Sequence, residues 1–385
     1  MTEAPAVPPP LPLGGRNPAA DVRKMRRIIT EDLTWSLAVV PLLSDLCLQQ
    51  IIRNFYKNPI LEELLSKHRV KVLNNIPTSL PLQVTANRIQ YEDYWRRCCA
   101  DRWPIGDVSQ YGGSWKRLFL ERHLESLIEC FIPDVSDVGP IIETAKLCQD
   151  YVKRLNIKEL LPPIKVDIKK DDDDEEVSDS GSEAGVDLPS MDHFDLGLIS
   201  SVLPGLEELH LVYGVKNCGM NFEWNLFHFT DRDCTALAQT FKVFRNLKVF
   251  RLTRSKVDDS KVRVLMRSLL NHPTLLHLDL SHNRISDCGA RASAKLLNQS
   301  PVQILNLCNN NLHTYGAQAI AHALSKNSTL TNLNLRLNQI EMRVERPCAM
   351  PSAQTGASWT LHLGSNELSR PYATIAAQLL PKQVR

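Results

Sequence analysis

No run in this chain reaches the ~18 consecutive apolar residues that a membrane-spanning helix needs. The opening, M-T-E-A-P-A-V-P-P-P-L-P-L, lacks a cationic stretch ahead of a long apolar core. It does not read as a secretory signal; residues 1–20 read as a disordered, proline-rich tail. Net charge is almost absent: 45 Lys and Arg meet 43 Asp and Glu, leaving +2. That gives no ground for expecting nucleic acid or a membrane as partner. There are ten cysteines, but none has a paired metal-binding spacing. A disulfide scaffold is not expected in a chain of 385 residues, and a reducing compartment fits better. Also missing are a phosphate loop, a dinucleotide glycine fingerprint, H-E-x-x-H and G-x-S-x-G. The eleven histidines are dispersed. No catalytic, cofactor or metal site is expected, so binding is the default function.

What is present is a repeat. The string L-x-x-L-x-L-x-x-N-x-L occurs as Leu275, Leu278, Leu280, Asn283, Ile285. It recurs from Val302 through Leu305, Leu307, Asn310, Leu312, and from Leu330 through Leu333, Leu335, Asn338, Ile340, with starts 27 and 28 residues apart. This is the leucine-rich repeat pattern in its long, helix-containing form. Each unit is a strand, a turn and a helix that cannot bury its apolar face alone, so stacked units share one core and form an arc. Alternate leucines point inward by the strand period of two. Asn283, Asn310, Asn338 and Asn366 should form a buried ladder that satisfies turn backbone. The small pairs Gly289-Ala290 and Gly316-Ala317 should let the helix start close to the strand. Worn units precede these. Leu247, Phe250, Leu252 and Val257 fit with Ser255 in the Asn place, and Leu206, Leu209 and Leu211 fit before a unit lengthened to 41 residues by a stretch holding Phe222, Trp224 and Phe229.

Residues between the core leucines should face the concave side: Glu208, His210, Arg251, Thr253, His277, Asp279, Asn306, Asn332, Asn334, Arg336 and His362. The set is polar and mixed in charge, which suits a selective protein interface more than a nucleic-acid groove. One unit departs from the pattern. From Met342 to Trp359 it carries Pro347 and Pro351 where a helix belongs, yet its length keeps the register. A permissible coding sequence for M-R-V-E-R-P-C-A-M-P-S, shifted by one base, reads D-E-G-G-E-A-L-C-H-A-L, the expected turn and helix. Two compensating frame changes are therefore expected, and as written this helix should not form. With the early end at Arg385, the distal repeats read as irregular and truncated.

The chain changes character at Asp171–Glu176, six consecutive carboxylates followed by S-D-S-G-S-E-A-G. Residues 164–190 read as an acidic, disordered linker, with Ser180 in a context suited to an acidophilic kinase. The expected division is a helical interaction domain over 21–163 and a leucine-rich-repeat domain over 191–385. In the first, Leu43, Leu46, Ile51 and Phe55 have helical spacing between Pro41 and Pro59. Tyr91, Tyr94, Trp95, Cys98, Cys99 and Trp103 repeat at three and four, as do Trp115, Leu118, Phe119, His123, Leu124 and Leu127. Aromatics at such spacing are core. Arg23, Lys24, Arg26 and Arg27 form a short basic patch. The expected fold class is α/β, a ribonuclease-inhibitor-like arc of strand plus helix per repeat behind a mostly α-helical N-terminal domain.

Three strings are distinctive: L-L-S-D-L-C-L-Q-Q-I-I-R-N-F-Y-K-N-P-I-L-E-E-L, Y-E-D-Y-W-R-R-C-C-A-D-R-W and G-G-S-W-K-R-L-F-L-E-R-H-L-E. Joined to an acidic linker and these repeats, they resemble the leucine-rich-repeat subunits of the axonemal nexin–dynein regulatory complex, from about Asp21 to Leu368. The resemblance implies a non-enzymatic scaffold in the axoneme of cilia and sperm flagella, within the cytoplasm and cytoskeleton. Its implied partners are other subunits of that complex, outer doublet microtubules and dynein arms, and its implied role is to link doublets and regulate dynein-driven motility. A helical module with L-x-D-L-C-L-Q-x-I ahead of leucine-rich repeats is also similar in arrangement to F-box substrate adaptors of ubiquitin ligases. A leucine-rich-repeat inhibitor of a soluble enzyme is a third reading of the polar face.

Overall fold

The computed structural model describes residues 42–104, 107–163, 190–221, 223–341 and 360–366. The Arg23–Arg27 patch, Trp35, the acidic run with Ser180, Phe222, the stretch Met342–Trp359 and everything after Asn366 lie outside them. Two compact units divide at Leu80/Pro81, not within the acidic segment where composition changes.

The first unit holds α1 (Leu43–Asn54) and α2 (Ser66–Asn75). Lys71 of α2 meets Asp45 of α1 at 2.7 Å. Phe55 is buried as its spacing suggests, but Leu43 and Leu46 are exposed and Leu48 takes the inward position on α1.

The second unit begins with α3 (Leu82–Thr85), α4 (Glu92–Arg102), α5 (Trp115–Glu129) and α6 (Gly139–Cys148). Tyr94, Trp95, Cys98 and Cys99 form the buried stripe of α4, while Leu118, Phe119, Leu124 and Ile128 line α5. The Trp95 and Phe119 rings lie 5.3 Å apart. Buried Lys116 is held by neutral partners rather than by a carboxylate. Its Nζ donates to Gln90 Oε1 and Tyr151 Oη and lies 4.2 Å from the Tyr151 ring centroid.

Next comes β1 (Arg154–Ile157), then α7 (Gly197–Ser200), β2 (Glu208–Leu211), α8 (Asp231–Thr240), β3 (Val249–Leu252), α9 (Asp259–Leu269), β4 (His277–Asp279), α10 (Asp287–Leu297), β5 (Ile304–Asn306), α11 (Thr314–Leu324), β6 (Asn332–Asn334) and β7 (Thr360–His362). The strands form one parallel sheet in sequence order. That order is the signature of a solenoid, and from β1 to β6 each pair of immediate neighbours is joined through a helix. Leu155, Leu209, Phe250, Leu278, Leu305, Leu333 and Leu361 pair in register and are all buried. The second inward row, Ile157, Leu211, Leu252, Leu280, Leu307 and Leu335, is buried as well.

The first strand belongs to the stretch expected to be helical. Its sequence carries a worn repeat: Val152, Leu155 and Ile157 fit, and Leu160 stands in the Asn place. The acidic segment thus falls in sequence between β1 and β2. The free edge of β1 is met by α5. Glu121 Oε1 accepts the Lys153 and Arg154 amides at 2.8 and 3.1 Å, Glu125 Oε1 accepts the Asn156 amide at 2.6 Å, and Glu129 Oε1 accepts the Lys158 amide at 2.7 Å. Four helical residues rise ~6 Å, and two strand residues span ~6.6 Å, so glutamates every fourth position match amides every second. The helix replaces a missing neighbour strand and blunts an edge that would otherwise pair with another chain.

The glycines have a different cause from the one expected. A Cβ on Gly289 would lie 2.6 Å from Asp259 Oδ1 and from Ile285 Cγ2, and one on Gly316 would lie 2.5 Å from Asp287 Oδ1. They make room for the neighbouring repeat's aspartate. Asp259 accepts the Ser286 and Gly289 amides at 2.8 and 2.9 Å, so it caps the next repeat's helix. Asp287 does the same for the His313 amide.

Candidate functional site

The turn after each strand is built around one side chain. Asn310 Nδ2 donates to Leu280 and Leu307 carbonyls at 3.0 and 3.1 Å, while its Oδ1 accepts the Ile285 amide. Asn338 donates to Leu307 and Leu335 and accepts from Leu312. Asn283 donates to Leu252 and Leu280 and accepts from Ser255 and Val257. Asn366 donates to Leu335 and Leu363 and accepts from Ile340. The Leu280, Leu307 and Leu335 carbonyls thus each receive their own repeat's asparagine and the next one's, which stitches the repeats together. Ser255 partly stands in: its hydroxyl donates to Thr253 O and accepts the Tyr213 amide. The residue ahead of each of these positions, Arg254, His282, Asn309, Leu337 and Ser365, is left-handed, with φ from 53° to 60°.

The ladder holds the outer sheet face rigid. Register places Arg154, Glu208, Val249, His277, Ile304, Asn332 and Thr360 in one row, and Asn156, His210, Arg251, Asp279, Asn306, Asn334 and His362 in a second. Thr253 and Arg336 lie one step past the second inward leucine. The face therefore carries all eleven residues read from the sequence, and adds Arg154 and Asn156 from the unrecognised strand. The motif position of Val152, Leu155 and Ile157 was the available signal for those two.

Charge gathers on the first four strands. Arg154 Nε and His210 Nε2 lie 3.7 and 3.8 Å from Glu208 Oε2. Burial, then the Arg251, Arg154 and His277 charges, push the His210 imidazole down to about 3. Burial and Arg251 also lower His277, against the opposing pull of Asp279 and Glu208. Both rings are neutral at physiological pH. Arg251 Nε is buried without a hydrogen-bond partner among the described residues. The distal strands are neutral and amide-rich. Three polar groups of the face already serve the fold: Asp279, Asn306 and Asn334 each accept the amide two residues ahead, at 3.0 to 3.2 Å. Glu208, Arg251, His277 and Arg336 keep more of their polar capacity for another molecule.

Among the described residues no group of three or more His, Cys, Asp or Glu side chains could hold a metal ion, and no helix is long and apolar enough to cross a membrane. His193 Nδ1 lies 2.8 Å from Asp233 Oδ2, but that carboxylate completes the capping box of α8 with Thr230. The pair is explained by helix capping.

Comparison with known proteins follows the same division. The "Leucine Rich repeat" family matches residues 271–292 and 326–341. Dynein regulatory complex subunit 5 of Homo sapiens is 55% identical over 74% of this chain and 57% of its own length. The protein of that name from Macaca fascicularis is 51% identical over 82% of this chain and 63% of its own length. The one from Chlamydomonas reinhardtii is 32% identical over 58% of this chain and 50% of its own length. Among solved structures, "Leiomodin-1 Actin-Binding Site 2 (ABS2)" overlaps 39% of this chain and 88% of its own at a TM-score of 0.33 and 21% identity, too weak a likeness to bear on function. The chain spans 55–63% of the length of its mammalian relatives. Over most of its own length this chain is a leucine-rich-repeat relative of dynein regulatory complex subunit 5.

Proposed function

We propose that this chain is a non-enzymatic interaction subunit of a dynein regulatory complex. It holds neighbouring subunits and doublet microtubules in place, and so influences dynein-driven ciliary and flagellar beating. The observation that carries this reading is identity of 51–56% with mammalian proteins of that name over 71–82% of the chain. Identity at that level extends beyond the leucines and asparagines that any such repeat requires. The sheet face supplies the means: a rigid, polar surface of mixed charge, with Glu208, Arg251, His277 and Arg336 as its least committed groups. Interfaces of this kind gain selectivity from charge complementarity more than from area.

The test is retention. The tagged chain, expressed in ciliated cells lacking the native protein, is expected in the salt-resistant axonemal fraction. An Arg251→Gln/Arg336→Glu variant should keep its melting temperature but leave that fraction, because like charge across an interface costs several kcal/mol. Glutamine is chosen at Arg251 because its buried Nε makes full charge reversal costly there. Recovery with a cullin adaptor instead of axonemes would replace this reading with the ubiquitin-ligase one.

A further inference from the structure

The rim where β3, β4 and β5 end carries a second feature that the sheet face does not explain. A cleft of about 420 Å³ opens there, with Arg254, Lys256, His282, Arg284, Asn309 and Asn311 on its walls. No carboxylate lines it among the described residues. The repeat geometry dictates the arrangement. Arg254, His282 and Asn309 occupy the left-handed turn position of three successive repeats, and Lys256, Arg284 and Asn311 occupy the position just past the ladder residue. Equivalent positions on adjacent repeats are one strand spacing apart, ~4.8 Å. Lys256 and Arg284 therefore stand in one short file across the repeats, with Arg254 two residues before Lys256 in the other.

Neither the Arg254 nor the Arg284 guanidinium makes a hydrogen bond or ion pair with another described side chain, and both residues are exposed. Burial, and after it the Arg284 charge, lower the Lys256 amine below its ordinary value. Asn309 Nδ2 lies 2.8 Å from His282 Nδ1. With the amide donating there, the other ring nitrogen carries the proton and is a further donor.

We infer that this rim cleft docks an acidic polypeptide segment, with Arg254 and Arg284, which lie on consecutive repeats, each receiving one of its carboxylates. Like charges held this close oppose one another, and an incoming polyanion relieves that opposition. The cleft volume lies in the range that holds a short peptide or drug-sized ligand rather than one small ion. Asn309 and Asn311 offer amides to the peptide backbone beyond the cations. The inference needs neither the axoneme nor the proposed complex, since it rests on the charge and shape of the rim alone.

Fluorescence anisotropy of the full chain with labelled hexaglutamate, hexaglutamine and hexalysine peptides tests it. Hexaglutamate should bind and the other two should not, with affinity falling as salt rises. The Arg254→Gln/Arg284→Gln variant should lose at least tenfold in affinity. An Arg263→Gln/Arg267→Gln variant, which removes exposed charge from α9 instead, should bind within about twofold of the parent, the level expected when only distant charge is lost. Millimolar inorganic phosphate should not displace the peptide. The inference fails if hexaglutamate binds no better than hexaglutamine, if the Arg254/Arg284 variant binds like the parent, or if phosphate competes completely.

Discussion

Single residues in this fold bear on two repeats at once, so their loss is felt across a boundary. Asn310→Ala leaves the Leu280 and Leu307 carbonyls with their other asparagines, Asn283 and Asn338. It leaves the Ile285 amide with no acceptor. A buried amide without a partner costs ~1–3 kcal/mol, which should appear as a clearly lower melting temperature of the full chain. An unchanged midpoint would mean that the ladder is ornamental. Gly289→Ala poses a sharper contest. Alanine favours helix over glycine by up to ~1 kcal/mol. Here its methyl would meet Asp259 Oδ1 and Ile285 Cγ2 at 2.6 Å, and moving Asp259 would break its caps on Ser286 and Gly289. The net should be a loss of ~1–3 kcal/mol, as for other overpacked sites. Stabilisation by Gly289→Ala, read in the same melt, would show that the aspartate yields freely.

At the scale of elements, what could be read in the sequence depended on whether one residue or several carried the signal. The units from Leu275 onward were legible because five positions at a fixed period agree. The strand Arg154–Ile157 was not, because Leu160 occupies the diagnostic Asn place and the next unit starts only at Leu206. Nor was the α5 edge cover, since glutamates at every fourth position read equally well as a solvated helix face. Their partners are strand amides some thirty residues on, which no local pattern specifies. The sheet face was legible wherever its strand was, and Arg154 and Asn156 were missed with theirs. The cover also has a testable electrostatic property. Burial pushes the Glu125 carboxyl up to about 8, with Glu121 and Glu129 adding to the rise and the Asn156 amide opposing it. A folded-state value above the unfolded ~4.3 favours the protonated form. This group's stabilisation is therefore full below ~4.3 and lost as pH climbs through about 8. Glu125→Gln keeps a carbonyl for the Asn156 amide and cannot ionise. Its melting-temperature advantage over the parent should be small near pH 5, grow through pH 7 and level off above pH 8. A difference that stays constant from pH 5 to 9 would place Glu125 in an ordinary, solvated setting.

At the scale of the molecule, the repeats and the helices α3 to α6 ahead of them form one compact unit from Pro81 onward. In a solenoid, stability is a sum of repeat terms and nearest-neighbour interfaces, and the terminal unit must present a face that does not need a further neighbour. Here α5 and β1 supply that face. A cut in the acidic segment would seem harmless on composition, because it removes no repeat that the leucine pattern from Leu206 onward identifies. On the structure it strips Val152, Leu155 and Ile157 from the core and exposes the full edge of β2. Each lost apolar side chain is worth ~1.5–3 kcal/mol, so three remove most of the margin of a typical domain. An unpaired parallel edge is also a template for association. The chain trimmed to 81–385 should therefore melt, in its repeat half, as the full chain does. The chain trimmed to 191–385 should melt much lower or form higher oligomers in light scattering. Chemical shifts or exchange rates of the Leu278 and Leu305 amides separate the two cases even where aggregation obscures the melt: native values in 81–385, altered or fast in 191–385. If 191–385 stays monomeric and equally stable, β2 does not need β1, and the repeats are sealed by some feature of β2 and α7 themselves.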